Sequence, residues 1–373
     1  MKTTPKIICL TAVLASASIT SACSGPAPTG NNHAERASTP PDNVPAQVFD
    51  LSRWSITVPL HGDGDNRADT IGAHALQHYQ LAHFFYLDDN QHMVFASPNK
   101  AITSPNSTNT RSELRQEFLD AQGQQVISGD SRKGYFALAS NPQPEAFAEI
   151  GGTLSATLRV DHVSLNVGYP QKPPAYSVVV GQIHAAKVDA LQTDEAGLGW
   201  GNEPLKIFYK KFPGHATGSV FWAYERNLPK DDPHRTGIDY PVWGNGWENA
   251  ADPGTQGIAL GESFSYTVKV DGDVMHLAFS AKNHPTVKHQ INLADNKDAN
   301  GHPDEHDDPL GYKNDWLFFK AGAYNQCSTK DAPSFRYPAC PGTGNWEEDE
   351  AAGNYTRVTF SHLSLHPGET ISD

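Results

Sequence analysis

Three segments that lie far apart in the chain place polar side chains suited to catalysis or ion binding at every second position of an apolar run. They are TRSELRQ at 110–116, VGQIHA at 180–185 and FFKAGAYNQC at 318–327. Because a strand sends alternate residues to one face, each segment predicts a strand with one polar face. The side chains that share these faces are Arg111, Glu113 and Arg115, then Gln182 and His184, and then Lys320, Gly322, Tyr324 and Gln326. Such a set of cations, amide donors and titratable groups predicts a site for an acidic sugar.

The three segments resemble the signature motifs of the alginate lyases of polysaccharide lyase family 7 and of its jelly-roll relative, family 18. The family patterns are R-(S/T)-E-(L/V)-R, Q-(I/V)-H and Y-F-K-A-G-x-Y-N-Q. This chain has them at residues 111–115, 182–184 and 318–326, with Phe318 where the family usually has tyrosine, a position not assigned to chemistry. All three motifs occur in the family order, and the resemblance covers residues 47–365 at the level of pattern.

The resemblance implies β-elimination on alginate, a polymer of 1,4-linked mannuronate and guluronate. Such a lyase removes the proton at C5, expels the 4-linked oxygen and leaves a 4,5-unsaturated uronate at the new non-reducing end. The motif positions imply four catalytic residues, which are His184, Tyr324, Gln182 and Arg115. They imply substrate contacts at Arg111, Glu113, Lys320, Asn325 and Gln326. Which of the two arginines grips the carboxylate stays open.

The family resemblance also assigns the proton transfers. Tyr324 would protonate O4 and, on mannuronate, would also take the C5 proton, whereas His184 is the expected base on guluronate. A free tyrosine titrates near pH ~10. We therefore expect Lys320 and the arginines to favour the phenolate, because opposite charge favours the ionised form. Glu113, between two arginines on its strand face, is expected to be an orienting ion-pair partner.

Neither a metal nor an organic cofactor is expected, because protein donors can neutralise the carboxylate. Ile183 is expected to point away from substrate, and the Q-I-H form of its motif accompanies guluronate or mixed activity in the family. The formal net charge of −14 argues against nucleic acid as a partner, so attraction to a polyuronate must be local. We expect a monomer whose partner is alginate or a related acidic polysaccharide.

Short β-prone runs separated by turn residues predict an all-β fold, a jelly-roll sandwich of two antiparallel sheets. An early strand begins at Trp54, and the others are predicted at 93–97, 111–119, 152–160, 176–185, 205–212, 219–224, 263–270, 274–281, 315–323 and 355–365. Asp271-Gly272 predicts a hairpin turn. Residues 70–85 are the one moderate helix candidate.

The first residues predict export. Lys2 and Lys6 precede an apolar stretch that ends at small residues and Cys23, which resembles a bacterial lipobox with Thr20 in place of the usual leucine. We expect residues 1–22 to be a signal peptide and Cys23 to be lipidated, with ordinary secretion as the alternative. Residues 23–46 read as a disordered linker and residues 47–373 as the catalytic domain. The expected location is the bacterial outer membrane.

Cys9 would leave with the signal peptide and Cys23 would carry the lipid, so Cys327 and Cys340 remain, and an oxidising compartment favours their pairing. The bridge would begin three residues after Tyr324 and would hold the loop that follows the third motif.

Two stretches are too long for simple hairpins. Residues 225–262 carry Tyr240, Trp243 and Trp247, which are expected either to wall sugar subsites or to anchor the loop by packing.

The second long stretch, residues 294–308, is acidic and loosely imitates a calcium loop. Its candidate ligands are Asn296, Asp298, Asn300 and Asp307, with Gly301 at the turn position. Asn opens the pattern and Asp closes it in place of Glu, so a solvated acidic loop is the favoured interpretation.

Three other functions compete. A retaining glycoside hydrolase would need two carboxylates about 5–5.5 Å apart, and the acidic run at 347–350 does not alternate as a strand pair would. A carbohydrate-binding module would have no need of His184 and Tyr324 together. A lyase for another polyuronate, such as glucuronan, would keep the chemistry and change only the sugar epimer.

Overall fold

Strands dominate the computed structural model, which describes residues 43–62, 64–120, 122–126, 129 and 131–370. In chain order the strands of these residues are β1 (Trp54–Thr57), β2 (Thr70–Ile71), β3 (Phe85–Leu87), β4 (Met93–Pro98), β5 (Asn109–Gln116), β6 (Phe136–Ala137), β7 (Glu149–His162), β8 (Ser177–Ala185), β9 (Leu205–Lys210), β10 (Ser219–Glu225), β11 (Gly237–Trp243), β12 (Ser263–Asp271), β13 (Val274–Ala281), β14 (His284–Asn292), β15 (Leu317–Ser328) and β16 (Tyr355–Thr370). Their short α-helices are α1 (Ala73–Leu76) and α2 (Trp346–Ala351). Turns of 3-10 helix lie at Pro45–Gln47, Arg132–Gly134, Pro144–Ala146, Asp189–Leu191 and Gly254–Gln256.

Strand pairing arranges these elements in two antiparallel layers. The first layer runs in the order β2-β1-β5-β15-β8-β9-β10-β11, and the second runs in the order β3-β4-β16-β7-β12-β13-β14. The short strand β6 joins them, because it pairs with β15 in one layer and, in parallel, with β7 in the other. Two packed antiparallel sheets confirm the predicted all-β sandwich of jelly-roll type.

The core lies between the layers and decides which way the motif strands face. Leu114, Ile183 and Ala321, on the three motif strands, are each fully buried. Phe319 packs on Phe136 with ring centroids 5.1 Å apart and also lies against Gly152 of the second layer. Because side chains alternate along a strand, burial of this face turns the polar residues of the same strands to the opposite face of the first layer.

Most of the predicted strands are present, with ends that differ by a few residues. The Asp271-Gly272 hairpin is confirmed, since Asp271 pairs with Val274 and Gly272 has a φ of +62°. The short strands β2, β3 and β6 were missed, and so were the longer β11 and β14. The strands β11 and β14 each lie at the edge of a layer and contain Pro241 and Pro285, respectively. An edge strand tolerates a proline that a central strand would exclude, so the sequence favoured a loop there.

Two further boundaries differ from the prediction. The helix candidate at 70–85 instead contains the short strand β2, the single turn α1 and the start of β3. The predicted signal peptide and Cys23 lie outside the described residues, as does the linker up to residue 42. Val44 is 1% exposed, so the folded chain begins before the predicted domain boundary. Among the described residues no helix is long and apolar enough to cross a bilayer.

Candidate active site

The strand order brings the three sequence motifs side by side. Strand β15 lies between β5 and β8, and their register places Lys320 between Arg115 on one side and Gln182 on the other. Further along β15, Tyr324 pairs with Arg111 of β5. In the other direction, Phe318 pairs with His184 of β8. The alternating polar residues of the three motif strands therefore share one face of the first layer. They are Arg111, Glu113, Arg115, Gln182, His184, Lys320 and Tyr324.

Glu113 is the centre of a buried ion network on this face. Its side chain is 1% exposed, and its carboxylate lies 2.5 Å from Lys320 Nζ and 3.1 Å from Arg111 Nη1. It also accepts a hydrogen bond from the Gln182 amide. Burial alone would raise the pKa of Glu113, but Lys320 and Arg111 lower it below its usual value. Glu113 thus has the ion pairs expected of an orienting residue, and its contact with substrate stays a prediction.

Tyr324 lies against the guanidinium of Arg111, which sits 4.0 Å from the ring centroid. Its hydroxyl is 3.4 Å from Ser107 Oγ, which also accepts a hydrogen bond from Arg111. Ser107 precedes β5 in a loop, and no feature of the sequence marked it. These contacts fix the phenol on two sides and leave its ring 4.0 Å below a permanent cation.

Neighbouring cations favour the phenolate of Tyr324, as expected, but burial outweighs their effect. Burial raises the pKa of Tyr324 above its usual value near 10, and Tyr337 adds to this effect. Arg111 and Lys206 act in the opposite direction without offsetting burial. The phenol therefore carries its proton at neutral pH, which suits an acid and opposes a base.

His184, unlike Tyr324, is suited to accept a proton. Its Nδ1 lies 2.5 Å from the Ala185 carbonyl oxygen, which can only accept, so Nδ1 carries the hydrogen and Nε2 carries the lone pair. Burial lowers the pKa of His184 to about 4, although Glu203 raises it. The imidazole is therefore neutral at physiological pH and able to accept a proton.

The two arginines differ in their surroundings. Arg115 is held by Glu117 at 3.0 Å and by the Gln116 carbonyl oxygen at 2.9 Å. Its guanidinium lies 4.1 Å from the ring centroid of Phe318, which in turn stacks on His184 at 5.3 Å. Phe318, which the sequence left without a role, thus separates Arg115 from the imidazole. Arg111 is the arginine that contacts Tyr324.

Asn325 and Gln326 do not face an open surface. Asn325 is fully buried, and its amide bonds to the Ser97 carbonyl, to Asn99 and to the Cys327 N–H. Gln326 is 1% exposed and donates to the Tyr324 carbonyl oxygen. Both amides brace the backbone around Tyr324 from within, and their contact with substrate stays a prediction.

Besides Arg111, Arg115 and Lys320, this face carries a further cation that sequence reasoning missed. Lys206 of β9 lies beside Gln182 in the register and lowers the pKa values of both His184 and Tyr324. The alternation of Lys206, Phe208 and Lys210 in β9 carried the same signal as the three motifs. Its partner Glu203, 3.0 Å away, stands in a loop before β9 and had no comparable signal.

A family model described as alginate lyase matches residues 49–367 of the chain. The chain belongs to the alginate lyase family. An alginate lyase of Klebsiella pneumoniae is 33% identical over 303 residues, which cover 79% of this chain and 87% of that protein.

Solved structures of the family share the fold. The crystal structure of an alginate lyase from Klebsiella pneumoniae has a TM-score of 0.65 at 28% identity, over 87% of this chain and 99% of that one. The exolytic family-7 alginate lyase of Zobellia galactanivorans has a TM-score of 0.67 at 31% identity, over 88% and 100%. A further family-7 alginate lyase, 17% identical with a TM-score of 0.51, shares the jelly-roll fold.

In this alginate lyase family member the predicted disulfide is confirmed. Cys327 and Cys340 are bonded, and they close a loop whose Tyr337 raises the pKa of Tyr324. Lys172 holds the same loop by donating to the carbonyl oxygens of Ala332 and Tyr337. The bridge thus ties the end of β15 to a loop beside the site.

The other loop interpretations are settled by packing. Trp247 is edge-on to Phe208 and Phe221 at 4.6 and 4.5 Å, Tyr240 stacks on Trp222, and Trp243 packs on Phe264. All three ring systems of the 225–262 stretch are buried, so they anchor the loop. Each is 7% exposed or less.

The acidic stretch at 294–308 uses its side chains internally. Asp298 accepts from the N–H groups of Asn300 and His302, and Asp307 accepts from the Tyr224 hydroxyl and the Asn227 N–H. Asp304 pairs with Arg226 at 2.6 Å. The described residues contain no group of three metal-binding side chains. The acidic side chains of this loop therefore serve as internal hydrogen-bond acceptors and ion-pair partners.

Removing the disulfide is expected to lower both stability and activity. Replacing Cys327 and Cys340 by serine should lower the free energy of unfolding by ~3 kcal/mol, because the denatured chain regains the freedom of the closed loop. Chemical denaturation measures this loss. Reductant should reproduce it in the unaltered protein and leave the double variant unchanged. Equal stability of the two proteins would contradict the expectation.

Lys320 is expected to set the alkaline limit of activity. Burial lowers its pKa to about 8, against the raising effect of Glu113. The cation is present below this pH and is lost as the pH rises through it, so kcat/KM should fall above pH 8. Lys320→Arg should move this limb to higher pH, because arginine stays protonated.

The exposed Lys187, paired with Asp189 at 2.8 Å, provides the matched control for this profile. Lys187→Arg should leave the alkaline limb in place. An active Lys320→Arg variant with an unshifted limb would assign that limb to another group.

Proposed function

We propose that this protein is an exported alginate lyase that cleaves 1,4-linked uronates by β-elimination and acts best on guluronate. The observation that carries the proposal is the pairing of a protonated Tyr324 with a neutral His184 on one sheet face. Two cations lie on the same face: Lys320 on the strand of Tyr324, paired with Gln182 of β8, and Arg111 on β5, paired with Tyr324. An acid, a base and fixed positive charge are the three parts that elimination beside a carboxylate requires.

The carboxylate at C5 is the first problem for the reaction, because proton removal builds a second negative charge beside it. Arg111 and Lys320 supply positive charge, and Arg111 Nε has no hydrogen-bond partner among the described residues. Burial has lowered the pKa of Lys320, which a bound anion would raise again by supplying opposite charge. The carboxylate of a bound uronate would thus offset the positive charge of Arg111 and Lys320.

The proton transfers follow from the two pKa shifts. His184 Nε2 takes the C5 proton, and the electrons of that C–H bond form the C4–C5 double bond. The bond from C4 to its oxygen breaks, and the Tyr324 hydroxyl protonates the leaving oxygen. On mannuronate Tyr324 would first have to lose the proton that burial retains, and this difference supports a preference for guluronate.

Gln182 connects the ion network to substrate. One N–H of its amide is donated to Glu113, which leaves the second N–H for the uronate carboxylate. Its Oε1 is buried and unpartnered among the described residues, so it is available to a sugar hydroxyl. Gln182 therefore positions the sugar through both ends of one rigid amide.

The site gives no support to a retaining hydrolase. Glu203 and Glu225 share a direct side-chain hydrogen bond, which leaves no space for a sugar between two carboxylates. The acidic run at 347–350 lies in helix α2, where the Asn345 side chain caps the helix by accepting from the Glu348 N–H. Acidic residues in a first helical turn are stabilised by the helix dipole.

Export and anchoring are part of the proposal. The residues before Cys23 support a lipid anchor at the outer membrane, and the disulfide suits an oxidising compartment. Labelling the expressing cells with a radioactive fatty acid tests the anchor. Cys23→Ala should abolish the label and release the protein from membranes, whereas label retained in that variant would place the lipid elsewhere.

The deciding experiment follows near-ultraviolet absorbance during separate incubations with polyguluronate, polymannuronate and glucuronan. We expect the fastest rise on polyguluronate, because the 4,5-unsaturated product absorbs there. A rise on glucuronan alone would overturn the substrate and keep the chemistry. Chain cleavage without absorbance would indicate a hydrolase.

The same substrates test a binding-only role. His184→Ala should lose most turnover on polyguluronate and still bind the polymer in affinity electrophoresis. No absorbance on any substrate by a folded, polymer-binding protein would favour a carbohydrate-binding module.

A further inference from the structure

A carboxylate faces the nitrogen of His184 that carries the lone pair. Nδ1 donates to the Ala185 carbonyl, and Nε2 lies 3.5 Å from Glu203 Oε1. The charged neighbours that shift the pKa of the imidazole are Glu203, which raises it, and Lys320 and Lys206, which lower it. Phe318 covers one ring face. Glu203 thus counteracts the effect of Lys320 and Lys206 on the pKa of His184.

This carboxylate is itself held by a buried network. Its Oε2 lies 3.0 Å from Lys206 Nζ, and its backbone N–H donates to Glu225 Oε2 at 3.0 Å. Glu225 is hydrogen-bonded to the Glu203 side chain and lies 3.5 Å from Arg235. The parts come from the loop before β9, from β9 and β10, and from the loop after β10.

The network also decides which carboxyl is charged. Burial raises the pKa of Glu225 to about 7, and Glu203 adds to the rise. Burial would raise the pKa of Glu203 too, but Lys206 and the hydrogen bond from Glu225 hold it well below its usual value. The shared proton therefore belongs to Glu225, and the full negative charge lies on Glu203, the member that faces His184.

We propose that Glu203 is a positioning residue for the β-elimination, whose carboxylate stabilises the imidazolium formed when His184 Nε2 takes the C5 proton. The inference rests on the proposed role of His184. A carboxylate 3.5 Å away gains little from a neutral imidazole, but it attracts the imidazolium that forms when the ring takes a proton. Interaction that appears only as charge develops lowers the barrier without tightening ground-state binding.

Glu203→Gln tests this role, because it keeps the shape and removes the charge. On polyguluronate kcat is expected to fall roughly 10²-fold with little change in KM, the scale for loss of one preorganised electrostatic partner. The acid limb of kcat/KM should move to lower pH, because loss of the carboxylate leaves Lys320 and Lys206 unopposed. On polymannuronate, where Tyr324 would take the proton, the loss should be smaller.

A direct reading of His184 separates electrostatic from structural effects. In protein labelled with nitrogen-15 histidine, NMR titration should give His184 a lower pKa in Glu203→Gln than in the unaltered chain. Glu195→Gln removes an exposed carboxylate from the neighbouring loop and should change neither the titration nor the rates. If Glu203→Gln fails to fold, Glu203→Asp retracts the charge and should give an intermediate shift and rate.

The outcomes keep the two proposals apart. If His184→Ala retains turnover, the role of His184 fails and the inference fails with it. If His184→Ala loses turnover while Glu203→Gln keeps the rate and the titration of the unaltered chain, only the role of Glu203 is overturned. Equal losses on both substrates with an unshifted His184 pKa would show that Glu203 is merely structural.

Discussion

Tyr324→Phe is expected to lower kcat on polyguluronate about 10³-fold, within the range for loss of a positioned general acid. The variant removes the hydroxyl alone, so the ring keeps its place over Arg111 and in the cluster with Val179 and Phe208. The leaving oxygen then departs without a proton donor. Because the ring and the cations that bind substrate remain, KM should change little. Initial rates of absorbance increase measure both constants.

A second tyrosine controls for the loss of a hydroxyl. Tyr355 stacks on His162 at 4.0 Å and pairs through β16 with β4 of the second layer, so it belongs to another part of the molecule. Tyr355→Phe should keep the rate of the unaltered chain. A Tyr324→Phe variant that stays within tenfold of that rate would transfer the acid role to another group.

Glu113→Ala is expected to have the largest effect on stability. Removing this carboxylate leaves Arg111 and Lys320 buried without their common counter-charge and leaves the Gln182 amide without its acceptor. Loss of one partner from a buried ion pair lowers the free energy of unfolding by about 3 to 5 kcal/mol. Urea denaturation at neutral pH measures the difference. Activity should be lost as well, because the same residues hold the substrate carboxylate.

The pH dependence of this loss has a definite sign. The repulsion in Glu113→Ala requires Lys320 to be charged, and burial already lowers the pKa of that ammonium to about 8. Without Glu113 the pKa falls further, so the variant sheds the proton at lower pH and recovers part of its stability as the pH rises. Asp189→Ala breaks the exposed pair with Lys187 and should leave the free energy of unfolding nearly unchanged. Comparable losses in the two variants would contradict a special role for the buried network.

The sequence by itself determined which side chains share a face. The alternation of Arg111 with Glu113, and of Gln182 with His184, is a local property, because successive residues of any strand point to opposite sides. The apolar residues between them, such as Ile183, identified the buried face without knowledge of strand order. The disulfide was also predictable, since two cysteines in an exported chain have few alternatives to pairing.

The tertiary structure alone decided which of these faces meet and how charged their groups are. Pairing of β5 with β15 joins residues about two hundred positions apart, and no local pattern specifies that choice. Burial by other parts of the chain raises the pKa of Tyr324 against the effect of its cationic neighbours. The loop residue Glu203 reaches His184 only once β8 and β9 have paired. Contacts between distant segments and the loss of water around a group depend on the whole fold, so the short-range pattern of a sequence cannot contain them.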